Sequence, residues 1–245
     1  MEFRLLKANE ISCRVSQIDK SWCTLLLFKD ARVDMDILDE TFGSMNWQRT
    51  HEVINGNLFC NIEIWDNEKC QWVKKQDVGT ESQTEKEKGE ASDSFKRAGT
   101  NVGIGRELYT APTIFITPRK DMGSIRKPDD EPNEFFEKNG KYTTKTRFYV
   151  DYIDYEDRRI KNLMIRDHKG NVRFEQLTPE KEKEINKQFE ELQKLIRENE
   201  EKDDNFNREE FYKYFKVTSD SQLTLNQREV AIELLKKRIK KVEKW

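Results

Sequence analysis

The chain has 245 residues, enough for one sizeable folded core with a further segment attached. Charged residues make up 38% of it and apolar residues 35%, and the mean hydropathy is -0.97, so we expect part of the chain to be helical and solvated. The 45 Lys and Arg residues against 47 Asp and Glu residues give a formal net charge of -2, which excludes nucleic-acid binding through net charge and leaves only a local basic stripe.

The N-terminal part of the chain predicts a strand hairpin followed by a short helix. Residues 10–28 contain two runs rich in β-branched and apolar residues, separated by a polar turn at residues 19–21. After them Val33 and Ile37 recur at helical spacing, and Gly43 provides the stop. This pattern is typical of a short amphipathic helix.

A three-strand meander and a long helix are predicted next. Asn55–Gly56 between two apolar-patterned runs is the strongest short-range signal of a hairpin, and a third strand follows at residues 71–78. Ser82 and Glu85 form the capping box at which the helix is expected to begin. One face of that helix carries apolar residues at helical spacing, namely Ala91, Phe95, Ala98 and Val102. The predicted order is β-β-β-α.

The remaining segments complete one domain and begin another region. Residues 109–117 predict a short buried strand, and the proline-containing residues 118–141 predict a loop. Strands are expected again at residues 146–155 and 158–167, and a hairpin at residues 169–171 returns the chain.

Beyond Pro179 the pattern becomes helical, and two more helices are expected at residues 208–216 and 226–242. The helix that begins at Pro179 has an apolar face formed by Ile185, Phe189, Leu192 and Ile196. We therefore predict an α+β protein with an antiparallel β-β-β-α core in a domain of residues 1–176. A small helical C-terminal module of residues 179–245 is expected to follow.

Several classes of protein lack support in this sequence. No apolar run approaches the roughly 18 residues that span a bilayer, and the first residues lack the apolar middle of a signal peptide, so we expect a soluble, cytoplasmic protein. With only His51 and His168, and no nucleophile elbow, zinc spacing or phosphate-binding motif in the right context, the chain lacks the parts of ordinary enzymes, and no cofactor is expected. The cysteines are expected to be reduced structural thiols, with a disulfide between Cys60 and Cys70 as the alternative.

A local basic stripe is predicted around the long helix. Lys96 and Arg97 lie beside its apolar face, so both side chains can reach outward. Lys74 and Lys75 on the adjoining strand, and Arg106 after the helix, could line one groove with them, as binding of polynucleotide phosphates requires. The alternative is an ordinary solvated helix flank.

Two further clusters have competing interpretations. The glycines after the long helix, at positions 99, 103 and 105, are interpreted as helix termination and close packing, because nucleotide-binding glycines lie between a strand and a helix. Asp34, Asp36 and Asp39, with the neighbouring Glu40, could hold magnesium for nuclease chemistry. A solvated acidic helix face is the favoured interpretation, since no second acidic motif with a neighbouring lysine occurs at strand positions.

Several of these segments together resemble a known family. ARVDMDILDETFGSMNWQ, a three-strand meander, DVG, then EKGEASDSFKRA and GIGRELY occur in the order found in phage single-strand annealing proteins of the Sak type. Those proteins are similar to the annealing domain of the eukaryotic Rad-fifty-two recombination proteins. The resemblance covers roughly residues 10–117.

The resemblance implies a β-β-β-α core that assembles into rings or helical oligomers and holds single-stranded DNA in a cationic groove without consuming a nucleotide. Lys96 and Arg97 match a Lys-Arg pair that contacts the DNA backbone, and Arg32 matches an arginine that faces the DNA. The chain departs from the eukaryotic proteins at Ser44, where they have an aromatic residue, and at Thr100, where they have a third basic residue.

The sequence thus predicts a non-enzymatic protein that anneals complementary DNA strands during phage or prophage recombination and repair. Its DNA-binding residues are expected to be Arg32, Lys74, Lys75, Lys96, Arg97 and Arg106. Expected partners are single-stranded DNA, further copies of the chain, and a host single-strand-binding protein or phage exonuclease docked on the C-terminal module. The alternatives are a metal-dependent nuclease using the Asp34 cluster, and an interaction scaffold whose function lies in the helical tail.

Overall fold

The computed structural model describes residues 2–79, 86–119 and 134–242. They form a mixed structure of helices and antiparallel sheets with a helical C-terminal region, which confirms the predicted fold class. The strands are β1 (Ile11–Ile18), β2 (Cys23–Lys29), β3 (Trp47–Ile54), β4 (Asn57–Asp66), β5 (Gln71–Val78), β6 (Ile114–Ile116), β7 (Phe135–Lys138), β8 (Lys141–Thr144), β9 (Phe148–Glu156), β10 (Arg159–Asp167) and β11 (Val172–Gln176). The α-helices are α1 (Ala31–Phe42), α2 (Lys86–Val102), α3 (Pro179–Lys202), α4 (Arg208–Tyr214) and α5 (Leu225–Val242).

The chain forms two compact units, and each draws on separate parts of the sequence. The first unit comprises Met1–Ser12, Leu27–Pro112 and Asp157–Arg159, and the second comprises Cys13–Leu26, Thr113–Glu156 and Ile160–Trp245. The domain boundary expected between residues 176 and 179 stays a prediction.

The three-stranded sheet β3-β4-β5 of the first unit follows the predicted meander. Asn55 and Gly56 have φ angles of 52° and 80°, the left-handed pair of a type I′ turn, and this turn aligns Ile54 with Asn57. The β-β-β-α order is confirmed, because β5 is followed by α2.

Both α1 and α2 contact the face of this sheet that carries Trp47. The indole Nε1 of Trp47 donates a hydrogen bond to Asp39 of α1 at 2.7 Å. Its ring also stacks on Phe95 of α2, with 6.2 Å between the ring centroids. Cys60 and Ile62 of β4 are fully buried. This packing holds α2 along the sheet as the apolar face of its sequence predicted.

A six-stranded sheet in the order β11-β10-β9-β1-β2-β6 lies largely in the second unit. Its two outer strands approach one another, and Arg173 of β11 donates to the carbonyl of Thr117, just beyond β6, at 2.8 Å. The sheet therefore curls towards closure, and the hairpins predicted around residues 19–21 and 169–171 are confirmed.

The three C-terminal helices are confirmed, and α3 and α5 pack on β10 of the same unit. Met164 forms a buried cluster with Ile185 of α3 and Leu225 of α5. The guanidinium of Arg166, which is fully buried, donates to the carbonyl of Ser221 at 2.8 Å. The helices thus bury residues of the sheet as well as their own apolar faces.

The loop predicted over residues 118–141 is wrong at its end, because Phe135–Lys138 forms β7 and pairs with β8 around an Asn139–Gly140 turn. The proline-rich context suggested a continuous loop although Asn-Gly is itself a hairpin signal. The capping box predicted at residues 82–85 lies outside the described residues.

The four cysteines are free, so the alternative disulfide between Cys60 and Cys70 is not formed. Cys60 is buried on β4, whereas Cys70 lies in the exposed turn that precedes β5. Burial raises the pKa of Cys60 to about 11, so this thiol stays protonated at neutral pH.

Within the described part of the chain, no helix has both the length and the apolar character that a bilayer crossing requires.

Candidate nucleic-acid interface

The register of the three-stranded sheet separates Lys74 from Lys75. Paired strand residues share a face, and Lys75 is aligned with the buried Ile62, which lies on the face that carries α2. Lys74 points to the opposite face and contacts Glu52 at 3.3 Å. The structure therefore does not bring the two lysines into one groove of a single subunit.

Arg97 lies on the flank of α2 that faces β5. Its Nε lies 3.4 Å from Oδ1 of Asp77, and the Asn101 amide donates to the other oxygen of the same carboxylate at 3.1 Å. Because Lys75 precedes Asp77 by two residues on the same face, it lies along the same side of the sheet. Arg97 therefore lies over the sheet face that carries Lys75, and a common groove for the two cations stays a prediction.

Arg106 folds back onto the C-terminal end of α2. Its guanidinium donates to the carbonyls of Thr100 and Asn101, each at 2.8 Å. These carbonyls belong to the last turn of the helix, where backbone donors run out, although that of Thr100 also accepts from the Gly103 N–H at 3.1 Å. Arg106 thus fixes the helix end, one turn beyond Arg97 along α2.

Lys96 faces α1 on the other flank of the helix. Its ammonium lies 3.8 Å from Asp93, and its positive charge acts on the buried pair formed by Lys29 and Asp34. The backbone carbonyl of Lys96 accepts a hydrogen bond from Lys29 at 3.0 Å. Lys96 and Arg97 therefore diverge, and each belongs to a different side of α2.

The pair of Lys29 and Asp34 connects the end of β2, the start of α1 and the middle of α2. Nζ of Lys29 lies 2.5 Å from Oδ1 of Asp34, and their side chains are 5% and 0% exposed. Burial raises the pKa of Asp34 to about 6, against the attraction of Lys29, and lowers the pKa of Lys29. An ion pair so deeply buried serves to fix the position of α2.

Two glycines allow this pair to fit beneath α2. A Cβ on Gly99 would lie 2.2 Å from Oδ1 of Asp34, and a Cβ on Gly105 would lie 2.5 Å from Cε of Lys29. Gly105 also has a φ of 73°, where a side chain is strained. The predicted role of these glycines in close packing is confirmed. A side chain at either position would collide with a member of the buried Lys29–Asp34 pair.

Two more exposed arginines of the first unit lie on elements that pack against α2. Arg32 is exposed in the first turn of α1, whose start is capped by Asp30. Arg49 is exposed on β3 and lies over the Phe95 ring at 4.8 Å from its centroid. Sequence reasoning missed Arg49, although the Asn55–Gly56 turn aligns it with the buried Ile62 and so with the face of α2.

The carboxylates of the nuclease alternative do not converge. Asp34 is buried against Lys29, whereas Asp39 accepts from Trp47 and Asp36 is exposed. The interpretation of Asp34 as part of a solvated acidic face is also wrong, since Asp34 shares the inner face of α1 with Ile37 and Leu38. Among the residues for which the structure gives positions, no group of three His, Cys, Asp or Glu side chains could hold a metal ion.

The two departures from the family pattern have simple structural roles. The Thr100 hydroxyl donates to the carbonyl of Lys96 at 3.1 Å, inside α2. Ser44 is exposed in the turn between α1 and β3. Arg106 donates to the carbonyl of Thr100, so a cation lies next to this position.

Comparisons of the chain with protein-family models, with curated proteins and with solved structures found no match.

Proposed function

We propose that the protein binds single-stranded DNA along α2 and anneals complementary strands without ATP, in phage or prophage recombination. The observation that carries the proposal is the set of cations on α2, on the sheet face that α2 covers and at the start of α1, with α2 held in place by a buried ion pair. The set comprises Arg32, Arg49, Lys75, Lys96, Arg97 and Arg106. Lys74 lies on the opposite face and is not part of this surface.

The chemistry required is modest. Cations that contact phosphates hold a strand extended and leave its base edges available, and base pairing then supplies the sequence discrimination. No acid, base or nucleophile takes part. Because buried charges fix α2, its cations keep constant positions. This favours a DNA strand bound in one extended arrangement over a strand held loosely by charge alone.

Carboxylates near the cations limit what one copy of the chain can achieve. Asp93 lies 3.8 Å from Lys96, and Asp77 lies 3.4 Å from Arg97. Ion pairs that solvent still reaches contribute about 0–1 kcal/mol, so a phosphate can replace the carboxylate, but the gain per site is small. We therefore propose homo-oligomerisation, as a ring or a filament, because repeated weak sites add up along a single strand.

The α3–α5 region is proposed to dock a host single-strand-binding protein or a phage exonuclease. A groove of about 790 Å³ between α4 and α5 is the candidate surface. Its apolar lining includes Phe206, Phe211, Tyr214 and Leu234. Pull-down of either partner should fail after Tyr214→Ala if this groove is used.

The proposal is tested by the double variant Lys96→Ala/Arg97→Ala. Loss of two phosphate contacts should make the dependence of log K on log salt shallower by about 1.4 for a single strand, and it should slow annealing. The readouts are fluorescence anisotropy of a labelled oligonucleotide over a salt series and annealing of complementary labelled strands. The strands should remain intact with added magnesium, whereas cleavage would favour the nuclease alternative.

The matched control is Lys194→Ala/Arg197→Ala, which removes the same charge from exposed positions on α3 of the second unit. It should leave both binding and annealing unchanged. Equal behaviour of the two double variants would refute the assignment of the site to α2.

A further inference from the structure

The β7-β8 hairpin of the second unit has one face that is dominated by lysines. Alternation along the strands and the register of the hairpin put Phe136, Lys138, Lys141 and Thr143 on this face. Nζ of Lys145 lies 5.9 Å from the centroid of the Phe136 ring, so this third lysine belongs to the same side. We call these five residues the lysine face; none of them is acidic.

The opposite face of the hairpin is its anchor. Phe135 is only 4% exposed, and it is aligned with Thr144. The single acid of the two strands, Glu137, is aligned with Tyr142 and also lies on this face. The hairpin thus keeps its carboxylate away from the lysines.

The arrangement of Lys138 and Lys141 is unfavourable for the hairpin itself. They are direct cross-strand partners and flank the Asn139–Gly140 turn, and both are exposed. Like charges directly opposite one another destabilise a two-stranded ladder, which has little stability to lose. An anion bound between them would remove this repulsion.

We propose that the lysine face binds the phosphodiester backbone of nucleic acid, as a second contact separate from the surface along α2. This inference rests on the proposed function for the identity of the polyanion. Three ammonium groups within residues 138–145 act as point charges for successive phosphates, and Phe136 offers one ring on which an unpaired base can stack. The polar Asn139–Gly140 tip carries no large apolar side chain to insert into a lipid surface, so charge complementarity favours nucleic acid over a membrane.

The test is the triple variant Lys138→Gln/Lys141→Gln/Lys145→Gln in the full chain. Loss of three phosphate contacts should make the salt dependence of single-strand binding shallower by about 2 and weaken binding at moderate salt. The triple Lys→Arg variant should retain wild-type binding because the charges are kept. Labelled single strands and duplexes of equal length, measured in parallel, show which form the lysine face prefers.

A matched control removes three lysines that are 62%, 72% and 75% exposed elsewhere, through Lys69→Gln, Lys194→Gln and Lys237→Gln. The lysine-face proposal is overturned if both triple variants bind DNA alike, or if the lysine-face variant loses only the binding of anionic phospholipid vesicles. A wild-type chain that shows hairpin-dependent binding but no annealing would instead refute the proposed function and leave the lysine face standing. A wild-type chain that binds neither strand form overturns both.

Discussion

Lys74 and Lys75 are adjacent on β5 but point to opposite faces of the sheet, so two single variants can test the proposed DNA-binding surface. Lys75 shares the face of α2, and Lys74 contacts Glu52 on the other face. We expect Lys75→Ala to weaken single-strand binding, with a salt dependence shallower by about 0.7, and Lys74→Ala to have no effect. Salt titrations of both variants measure this. A larger effect of Lys74→Ala would move the DNA to the opposite face of the sheet.

Asp77 is predicted to restrain DNA binding. Its carboxylate accepts from Arg97 and Asn101, so it competes with a phosphate for the Arg97 guanidinium. Asp77→Asn should therefore increase the affinity for a single strand and make the salt dependence steeper. Asp204→Asn, on an exposed residue of the second unit, removes the same charge and should change neither quantity. Weaker binding by the Asp77 variant would show that the carboxylate orients Arg97 for the strand.

Sequence reasoning found the exposed cations better than the buried ones. Lys96 and Arg97 could be predicted because their spacing from Phe95 places them beside an apolar face. Lys29 could not, because a lysine at the end of an alternating strand is ordinarily exposed, and its burial depends on Asp34 and on the absence of a side chain at Gly99. Strand alternation does put Lys29 on the buried face of β2, and helix spacing puts Asp34 on the inner face of α1, but neither pattern predicts that the two charges pair beneath α2.

At the level of the elements, the contact between α1 and α2 depends on a residue that has no side chain. Alanine favours a helix interior over glycine by about 1 kcal/mol, so propensity alone predicts that Gly99→Ala stabilises the protein. The Cβ would lie 2.2 Å from the Asp34 carboxylate, and we expect a net destabilisation of about 1–3 kcal/mol instead. Chemical unfolding measures the sign. A more stable variant would mean that α1 can move away from α2 at little cost.

Removing one partner of the buried ion pair should lower the free energy of unfolding strongly, whereas replacing both partners by apolar side chains should lower it little. Lys29→Met leaves Asp34 buried without its partner, which should cost about 3–5 kcal/mol of unfolding free energy. The double variant Lys29→Met/Asp34→Leu removes both charges and should recover most of that loss. A double-mutant cycle from denaturant unfolding gives the coupling. Additive losses would contradict the direct pairing of the two side chains.

The single variant should also acquire a characteristic pH dependence. In the wild-type protein the folded-state pKa of Asp34 is about 6, above its value of about 3.9 in an unfolded chain. A raised carboxyl pKa means that the folded state takes up the proton first, so this contribution to stability grows as the pH falls through 6. Without Lys29 the pKa of Asp34 rises further, and Lys29→Met should regain stability relative to the double variant between neutral and mildly acidic pH. A constant difference across that range would contradict the burial of an ionisable Asp34.

For the whole molecule, the C-terminal helices are expected to be necessary for stability. Removal of residues 179–245 would expose Met164 and would deprive the buried Arg166 of its acceptor on Ser221. We expect the shortened chain to melt at a lower temperature or to aggregate. A shortened chain that keeps the wild-type melting temperature and anneals DNA would make these helices a separate, recruiting module, as the sequence first suggested.

The oligomeric state is the second prediction for the whole molecule. The candidate surface of one copy combines six cations with nearby carboxylates, so useful affinity requires several copies on one strand. Light scattering should therefore give a mass that is a multiple of 29.4 kDa, and particle images with single-stranded DNA should show rings or filaments. A monomer both with and without DNA would count against the annealing proposal.

The curled six-stranded sheet restricts how copies could join. Its outer strands, β6 and β11, approach one another and are joined by the Arg173 side chain, so a strand from another molecule that paired between them would have to displace this contact. The outer strands of the three-stranded sheet, β3 and β5, have no such neighbour in their sheet order. If copies join through the edges of this sheet, β5 lies at the contact between two copies. Whether the paired strands there run parallel or antiparallel would then decide whether the cations of successive copies form one continuous track for a DNA strand.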